Sequence, residues 1–135
     1  MHIITCVDDN GGTFFNNRRQ SQDRLLREHI LTRCAGKKLW MNAYSARQFA
    51  SCENADITVD EDFLAKAQPG DYCFAEGLSL APCESRIERL ILIKWNRDYP
   101  FDRKLDIDLS SWNCISTDEF TGYSHEKITV EVYTK

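Results

Sequence analysis

Residues 1–12 read MHIITCVDDNGG, in which an apolar run of branched residues ends in an acidic, glycine-containing segment. Such a run predicts a buried β-strand over His2–Val7 that leads directly into a loop. A helix is predicted downstream over Gln22–Thr32, with Ser21 as its N-cap and Asp23 in the first turn. A strand, a loop and a helix in this order are the beginning of a parallel α/β unit.

The rest of the chain continues this alternation and then changes to strands alone. The loop after the first strand is predicted to extend through Asn16–Arg19, and short helices are predicted over Ser45–Ala50 and Glu61–Lys66. Helices between the early strands indicate parallel crossovers, whereas the final strands indicate an antiparallel end to the sheet. We therefore predict a single α/β domain over residues 1–135. The further strands are predicted over Lys38–Asn42, Ile57–Val59, Tyr72–Phe74, Ile87–Trp95, Trp112–Ser116 and Lys127–Tyr133.

The composition is that of a globular domain, and the net charge gives no indication of binding to nucleic acid. Of the 135 residues, 42% are hydrophobic and 28% are charged, which is ordinary for a folded chain. The net charge of −4 disfavours binding to nucleic acid, since such proteins usually carry a basic excess. No apolar stretch approaches the length of a membrane span, and the six cysteines contain no C-x-x-C pair. We expect a soluble, cytoplasmic protein with reduced thiols and no membrane partner.

Several segments resemble the dihydrofolate reductase family in their order along the chain. Asp8 and Gly12 follow the first strand as in that family, and Asp23 stands where the family has an acid in the first helical turn. Trp40–Ser45 takes the place of the family's Met-Gly-Arg-x-Thr segment. The chain is similar to a short, divergent bacterial member. This implies a three-layer α/β fold with a mixed, mainly parallel central sheet and an antiparallel C-terminal strand. Further similar segments are Asp71–Gly77, Ile87–Lys94, Leu105–Trp112 and Val130–Lys135.

The resemblance also implies a reductase site with NADPH as the cofactor. The catalytic residue would be Asp23, whose carboxylate would hydrogen-bond a bound heterocycle; the alternative is an ordinary acid at a helix start. The implied substrate-binding residues are Cys6, Val7, Asp23, Leu26 and Arg27. The implied cofactor-binding residues are Gly12, Asn42, Ser45, Arg47, Glu76 and Gly77.

This chain departs from the family pattern at positions that would contact ligands. Asn42-Ala43 replaces the Gly-Arg pair, so the arginine for the cofactor phosphate is missing unless Arg47 substitutes for it. Glu76 replaces a glycine that would pass close to the pyrophosphate, where a carboxylate would repel the ligand. Arg27 replaces an aromatic residue, and the segment around Asn54 offers no arginine for the substrate's glutamate tail.

These departures favour a protein that keeps the fold without normal NADPH-dependent reductase turnover and binds a small heterocycle or nucleotide. One alternative is an active reductase that uses Asp23 for the substrate and Arg47 or Arg27 for the cofactor. A homodimer is a further partner that the sequence leaves open.

The weakest alternative is a nuclease of the ribonuclease Z kind or another metal enzyme. We predict no metal site, because the sequence lacks the motif that such an enzyme needs. Such an enzyme needs a histidine-rich motif, and the histidines at positions 2, 29 and 125 are scattered. A cation site formed by Asp8-Asp9 with Asp106 or Asp108 is a second form of this alternative. His125 follows Ser124 but has no partner that the sequence identifies, so no Ser/His/Asp set is expected.

Overall fold

A computed structural model describes residues 1–52 and 55–135 of the chain. In this described part, three α-helices accompany ten strands. The helices are α1 (Arg24–Arg33), α2 (Ala43–Arg47) and α3 (Phe63–Lys66). The strands are β1 (His2–Val7), β2 (Gly12–Phe15), β3 (Arg18–Arg19), β4 (Leu39–Met41), β5 (Ile57–Val59), β6 (Tyr72–Phe74), β7 (Arg89–Lys94), β8 (Arg103–Lys104), β9 (Asn113–Phe120) and β10 (Ile128–Thr134).

Seven of these strands form the central sheet, in the order β5-β4-β6-β1-β7-β10-β9. The five strands from β5 to β7 are mutually parallel, and β10 runs antiparallel to both β7 and β9. The predicted fold class, a mainly parallel sheet with an antiparallel C-terminal strand, is confirmed. The central strand β1 pairs with β6 on one side and with all six residues of β7 on the other.

Each face of the sheet carries its own apolar core, because side chains alternate between faces along a strand. Ile4 belongs to the core beneath α1, together with Leu26 and Ile30 of that helix. Ile3 belongs to the opposite core, with Phe63 of α3 and Trp112. The three layers are therefore one helical layer, the sheet, and a second layer of short helical turns. In the described residues no helix has both the length and the apolar composition needed to cross a membrane.

All three helices begin at other residues than predicted, and α3 begins at Phe63 instead of Glu61. Helix α1 begins at Arg24 and is capped by Asp23, whose carboxylate accepts hydrogen bonds from the backbone of Leu25 and Leu26. Helix α2 begins at Ala43, before the predicted start at Ser45, because the Asn42 side chain accepts a hydrogen bond from the Ser45 backbone. The prediction of Ser21 as the N-cap of α1 was wrong, because the Asp23 side chain performs the capping.

The segment predicted as a loop through Asn16–Arg19 contains a β-hairpin. Strands β2 and β3 pair antiparallel across a two-residue turn at Asn16 and Asn17, whose φ angles are 53° and 59°. Asparagine tolerates this left-handed conformation better than most residues, so an Asn-Asn pair closes a tight hairpin. Strand β8 pairs with the other side of β2 and completes a small three-stranded sheet. This small sheet lies beside the edge of the central sheet where the candidate site is found.

Candidate functional site

The candidate site lies at the edge of the central sheet where the parallel strands end. Asp8 follows β1, Asn42 follows β4 and Glu76 lies two residues after β6. Because the carboxyl ends of parallel strands meet at one edge, these residues lie along the edge whose crevice usually binds ligands in open α/β sheets.

Glu76 is the most heavily bonded acid on the β6 side of this edge. Its carboxylate accepts two hydrogen bonds from the Arg19 guanidinium, at 2.8 Å and 3.1 Å. Ser45 Oγ donates to the same carboxylate at 2.8 Å and Gln48 Nε2 donates at 3.1 Å. The Glu76 side chain keeps only 8% of its surface exposed. Its negative charge is thus neutralised and largely covered by residues of this chain.

Arg19 is held in place from several directions. Its guanidinium lies over the Tyr44 ring at 4.3 Å, and Nη2 also donates to the Tyr44 carbonyl oxygen. Burial disfavours the charged form, but the hydrogen bonds and charge of Glu76 outweigh this effect and raise the pKa of Arg19. The Arg19–Glu76 pair therefore fastens the β2–β3 hairpin to the end of β6 and to α2.

Gly77 is covered by an aromatic side chain of the hairpin. Its φ is +67°, and a Cβ atom at this position would lie 2.5 Å from Cγ of Phe14. The Phe14 ring also packs edge-on against Tyr44, with a centroid distance of 5.7 Å. Arg103 of β8 donates a hydrogen bond to the Gly77 carbonyl oxygen at 2.8 Å. The backbone at Gly77 is thus approached closely by the protein's own side chains.

Asp23 stands at the start of α1, and its side chain is fully buried. Oδ1 accepts from the backbone nitrogens of Leu25, Leu26 and Tyr123, at 2.9 Å, 3.2 Å and 3.0 Å. Oδ2 accepts from the backbone nitrogen of Ser124 at 2.9 Å and from its hydroxyl at 3.2 Å. Burial would raise the pKa of this acid, but the hydrogen bonds lower it far below its usual value. The carboxylate therefore stays ionised, with its lone pairs engaged.

His125 completes the surroundings of Asp23. Its Nδ1 lies 2.8 Å from Asp23 Oδ2, and its ring stacks on Trp95 with a centroid distance of 4.6 Å. The other nitrogen, Nε2, lies 3.0 Å from Ser21 Oγ and 3.2 Å from Tyr99 Oη. An ionised carboxylate only accepts, so the proton of the neutral ring lies on Nδ1, and Nε2 is an acceptor for these hydroxyls. The side chains of Asp23, His125 and Ser21 are thus connected in series.

A cavity of about 300 Å³ opens beside this series. Tyr99 belongs to both, because it lines the cavity and contacts His125. The Asp8 carboxylate positions Tyr99 by accepting a hydrogen bond from its backbone nitrogen at 3.1 Å. Aromatic rings, amide side chains and an exposed arginine surround a small volume, which suits a small planar ligand with a negative charge. The lining residues are Phe15, Asn16, Arg18, Arg19, Gln20, Tyr99 and Pro100.

Comparison with known proteins finds the same architecture at low sequence identity. No family model matches this chain, and no curated protein matches it. Dihydrofolate reductase from Enterococcus faecalis, solved in complex with NADP(H) and RAB-propyl, matches with a TM-score of 0.67. The match covers 98% of this chain and 94% of that chain, at 13% sequence identity. The chain has the dihydrofolate reductase fold.

Three of the residues implied to bind the cofactor, Ser45, Glu76 and Gly77, lie close together in the structure. Ser45 and Glu76 are hydrogen-bonded to each other, and Gly77 follows directly in the chain. Asn42 caps α2, whereas Arg47 is exposed with its guanidinium 5.8 Å from the Tyr44 ring. Gly12 is buried, and a Cβ there would lie 2.6 Å from Phe101. The assignment of these residues to a cofactor stays a prediction.

The implied substrate residues are divided between the core and the surface. Val7 and Leu26 are buried, and burial with the nearby Glu76 charge raises the pKa of Cys6 well above its usual value. Arg27 lies on the outer side of α1, where its guanidinium donates to the Gln22 side chain at 3.3 Å. Asn54 lies outside the described residues. The substrate role of these residues, like that of Asp23, stays a prediction.

Among residues 1–52 and 55–135, no three His, Cys, Asp or Glu side chains are grouped as a metal site would need. The expectation that His125 lacks a Ser/Asp partner was wrong, because the fold brings Ser21 and Asp23 to it from 104 and 102 positions away. No local spacing connects such distant positions. Arg19 was likewise missed as the partner of Glu76, which lies 57 positions further along the chain.

Proposed function

We propose that this protein keeps the dihydrofolate reductase fold but lacks NADPH-dependent reductase turnover, and that it binds a small heterocycle or nucleotide at the cavity beside the hairpin. The observation that carries the proposal is the Arg19–Glu76 ion pair at the crevice. It places a covered carboxylate where the family resemblance implies a glycine beside the cofactor.

The residues at the implied cofactor site do not fit a dinucleotide. A pyrophosphate is recognised by backbone N–H groups and cations, and a carboxylate in that position repels it. Ligand entry here would require Glu76 to leave four hydrogen bonds and Phe14 to leave Gly77. The arginine that could have paired with a phosphate, Arg19, is already engaged by Glu76.

The hydrogen bonds of Asp23, the implied substrate-binding acid, independently support the lack of reductase turnover. A carboxylate that binds a heterocycle needs free acceptor capacity, and an ionised carboxyl group has about four lone-pair positions. Asp23 accepts six hydrogen bonds from within the protein and its side chain is fully buried. A pterin at Asp23 would have to displace the Tyr123–His125 segment.

The lining of the cavity beside the hairpin supports its assignment as the ligand site. Phe15, which is 43% exposed, and Tyr99 offer aromatic faces, and the exposed Arg18 offers a positive charge for a phosphate or carboxylate. A small heterocyclic anion or a mononucleotide has this combination of a flat ring and negative charge.

The location and assembly of the protein complete the proposal. All six cysteines are free thiols, which fits the reducing cytoplasm. A homodimer stays a prediction, and the long exposed edge strand β9 is a surface that could support one.

The turnover part of the proposal is tested by following NADPH oxidation at 340 nm in the presence of dihydrofolate. Enterococcus faecalis dihydrofolate reductase serves as the matched positive control. We expect no oxidation above the rate without protein at any concentration at which the control is active. Protein-dependent oxidation would contradict the proposal.

The binding part is tested by thermal-shift measurements with a panel of nucleoside monophosphates and folate-like heterocycles. A ligand specific to the cavity should raise the Tm of the wild type, because it binds only the folded state. Arg18→Ala should abolish the shift for the anionic ligand, whereas Arg89→Ala, an exposed arginine at the start of β7, should not. Equal shifts in both variants would place the ligand elsewhere.

A further inference from the structure

Ser21, His125 and Asp23 form a hydrogen-bonded series with the connectivity of a nucleophile, a base and an orienting acid. Ser21 Oγ lies 3.0 Å from His125 Nε2, and His125 Nδ1 lies 2.8 Å from Asp23 Oδ2. The two ring nitrogens thus serve opposite ends of the series. Such a set is recognised by its geometry and roles and not by the order of its members in the sequence.

The surroundings keep the base fixed and leave the hydroxyl accessible. Asp23 and His125 are buried, and the Trp95 ring stacked on His125 restricts rotation of the imidazole. Ser21 is only partly buried and adjoins Gln20, which lines the 300 Å³ cavity. A rigid buried base that is hydrogen-bonded to a partly buried serine, next in the chain to a residue of the cavity lining, is an arrangement that activates the serine.

We propose that Ser21 is the nucleophile of an acyl-transfer site that hydrolyses small carboxylic esters. This inference goes beyond the absence of reductase turnover, and it rests on the proposed function only in using the same cavity for the ligand.

In the first step, Ser21 Oγ attacks the ester carbonyl carbon as its proton passes to His125 Nε2. The carbon–oxygen bond to the leaving alcohol then breaks, and His125 returns the proton to the leaving oxygen, which yields the acyl-serine and the alcohol. Water, activated by His125, attacks the acyl carbon in the second step. The carboxylic acid leaves and Ser21 recovers its proton, so no oxidant or further reactant is required.

Two other groups have defined parts in this chemistry. Tyr99 Oη lies 3.2 Å from the same Nε2 atom, so its hydroxyl helps to hold the imidazole edge that faces Ser21. Asp23 acts through His125 and is a positioning residue: it fixes the tautomer and stabilises the imidazolium that forms.

The cavity indicates the substrate class. Its aromatic walls and the exposed Arg18 suit an ester whose acyl or alcohol part is a small aromatic group that carries a negative charge. The volume of about 300 Å³ is too small for a long acyl chain in an enclosed position.

The test is covalent labelling of the full chain with a fluorophosphonate probe, followed by peptide mapping, together with hydrolysis of p-nitrophenyl acetate. We expect one adduct, on Ser21, and ester hydrolysis that labelling abolishes. Ser21→Ala should eliminate the adduct and lower kcat by roughly 10³-fold. Ser116→Ala, an exposed serine on β9, should behave as wild type.

Folding is checked by circular dichroism, and a second readout addresses Asp23. In Asp23→Asn, kcat should fall while KM stays unchanged, when kcat is calculated per molecule whose Ser21 the probe can label. A loss of folded protein alone would not lower kcat calculated in this way. An absence of Ser21 labelling in folded wild type, or hydrolysis unchanged in Ser21→Ala, would overturn the inference. NADPH oxidation reports on the reductase site separately, so failure of one proposal is distinguishable from failure of the other.

Discussion

The Asp23 carboxylate joins two parts of the chain that are 100 residues apart. Through Leu25 and Leu26 it caps α1, and through Tyr123 and Ser124 it fixes the turn between β9 and β10. His125 adds a charge-assisted contact on the same acid. A single buried acid therefore determines both where the helix begins and how the terminal hairpin approaches the crevice.

Replacing this acid should be costly to stability. In Asp23→Asn one carboxylate oxygen becomes an amide donor that faces other donors, and the negative charge that accepts the hydrogen bond from His125 Nδ1 is lost. We expect the free energy of unfolding to fall by about 2–4 kcal/mol, measured by urea denaturation. Asp118→Asn, an exposed acid on β9, is the control and should leave stability unchanged. A change equally small in both variants would show that the six hydrogen bonds contribute little.

The pH dependence of stability should identify the same residue. The hydrogen bonds to Asp23 lower its pKa in the folded state below the usual value of 3.8. Its contribution to stability is therefore complete above that value and is lost as the pH falls from 3.8 towards the lower folded pKa. In urea denaturation, the stability difference between wild type and Asp23→Asn should be constant near neutral pH and shrink below 3.8. Parallel curves down to the lowest accessible pH would contradict this assignment.

At the scale of elements, the β2–β3 hairpin is attached to the sheet edge by a few side-chain contacts: an ion pair, a cation–π contact and an aromatic ring packed on the backbone. Arg19 binds Glu76 after β6 and stacks on Tyr44 of α2, while Phe14 covers Gly77. The hairpin has no extended apolar face of its own, so its position depends on these side chains. It closes the crevice at the ends of β4 and β6.

Removal of Arg19 should loosen the hairpin before it affects the central sheet. Arg19→Ala leaves Glu76 without its cation, and we expect stability to fall by about 2 kcal/mol, less than for a fully buried pair because Arg19 is 19% exposed. Hydrogen exchange measured by mass spectrometry should rise over Gly12–Arg19 and remain unchanged in β1 and β7. Arg18→Ala, which alters the exposed neighbour, is the control, and similar exchange in the two variants would contradict the account.

The elements that sequence analysis predicted correctly are those with a local signal. The apolar run of β1 and the alternation of Ile128, Val130 and Val132 with polar residues along β10 each predict a strand without reference to distant residues. The capping of α1 was misjudged because Ser21 and Asp23 are both good N-cap residues, and the choice depends on Tyr123 and His125 at the far end of the chain. The site was therefore less predictable than the fold, because contacts such as Arg19–Glu76 and Ser21–His125 join residues 57 and 104 positions apart.

On the scale of the whole molecule, the residues that form the two cores of the sheet are different from the residues that fill the crevice. Ile3 and Ile4 pack into opposite cores from the centre of β1, and neither contributes to the carboxylate networks. A fold of this kind can therefore keep its architecture while its ligand contacts change, which agrees with a TM-score of 0.67 at 13% identity.

The central claim, that the protein's own side chains exclude the dinucleotide from this fold, is tested most directly by isothermal titration of NADPH. Enterococcus faecalis dihydrofolate reductase is titrated under the same conditions as the positive control. For wild-type protein we expect no saturable heat at millimolar NADPH, because Glu76 and Phe14 fill the implied site and Arg19 is engaged. Saturable one-to-one binding, lost on substitution of Arg47 or Ser45, would contradict the account and indicate a working cofactor site.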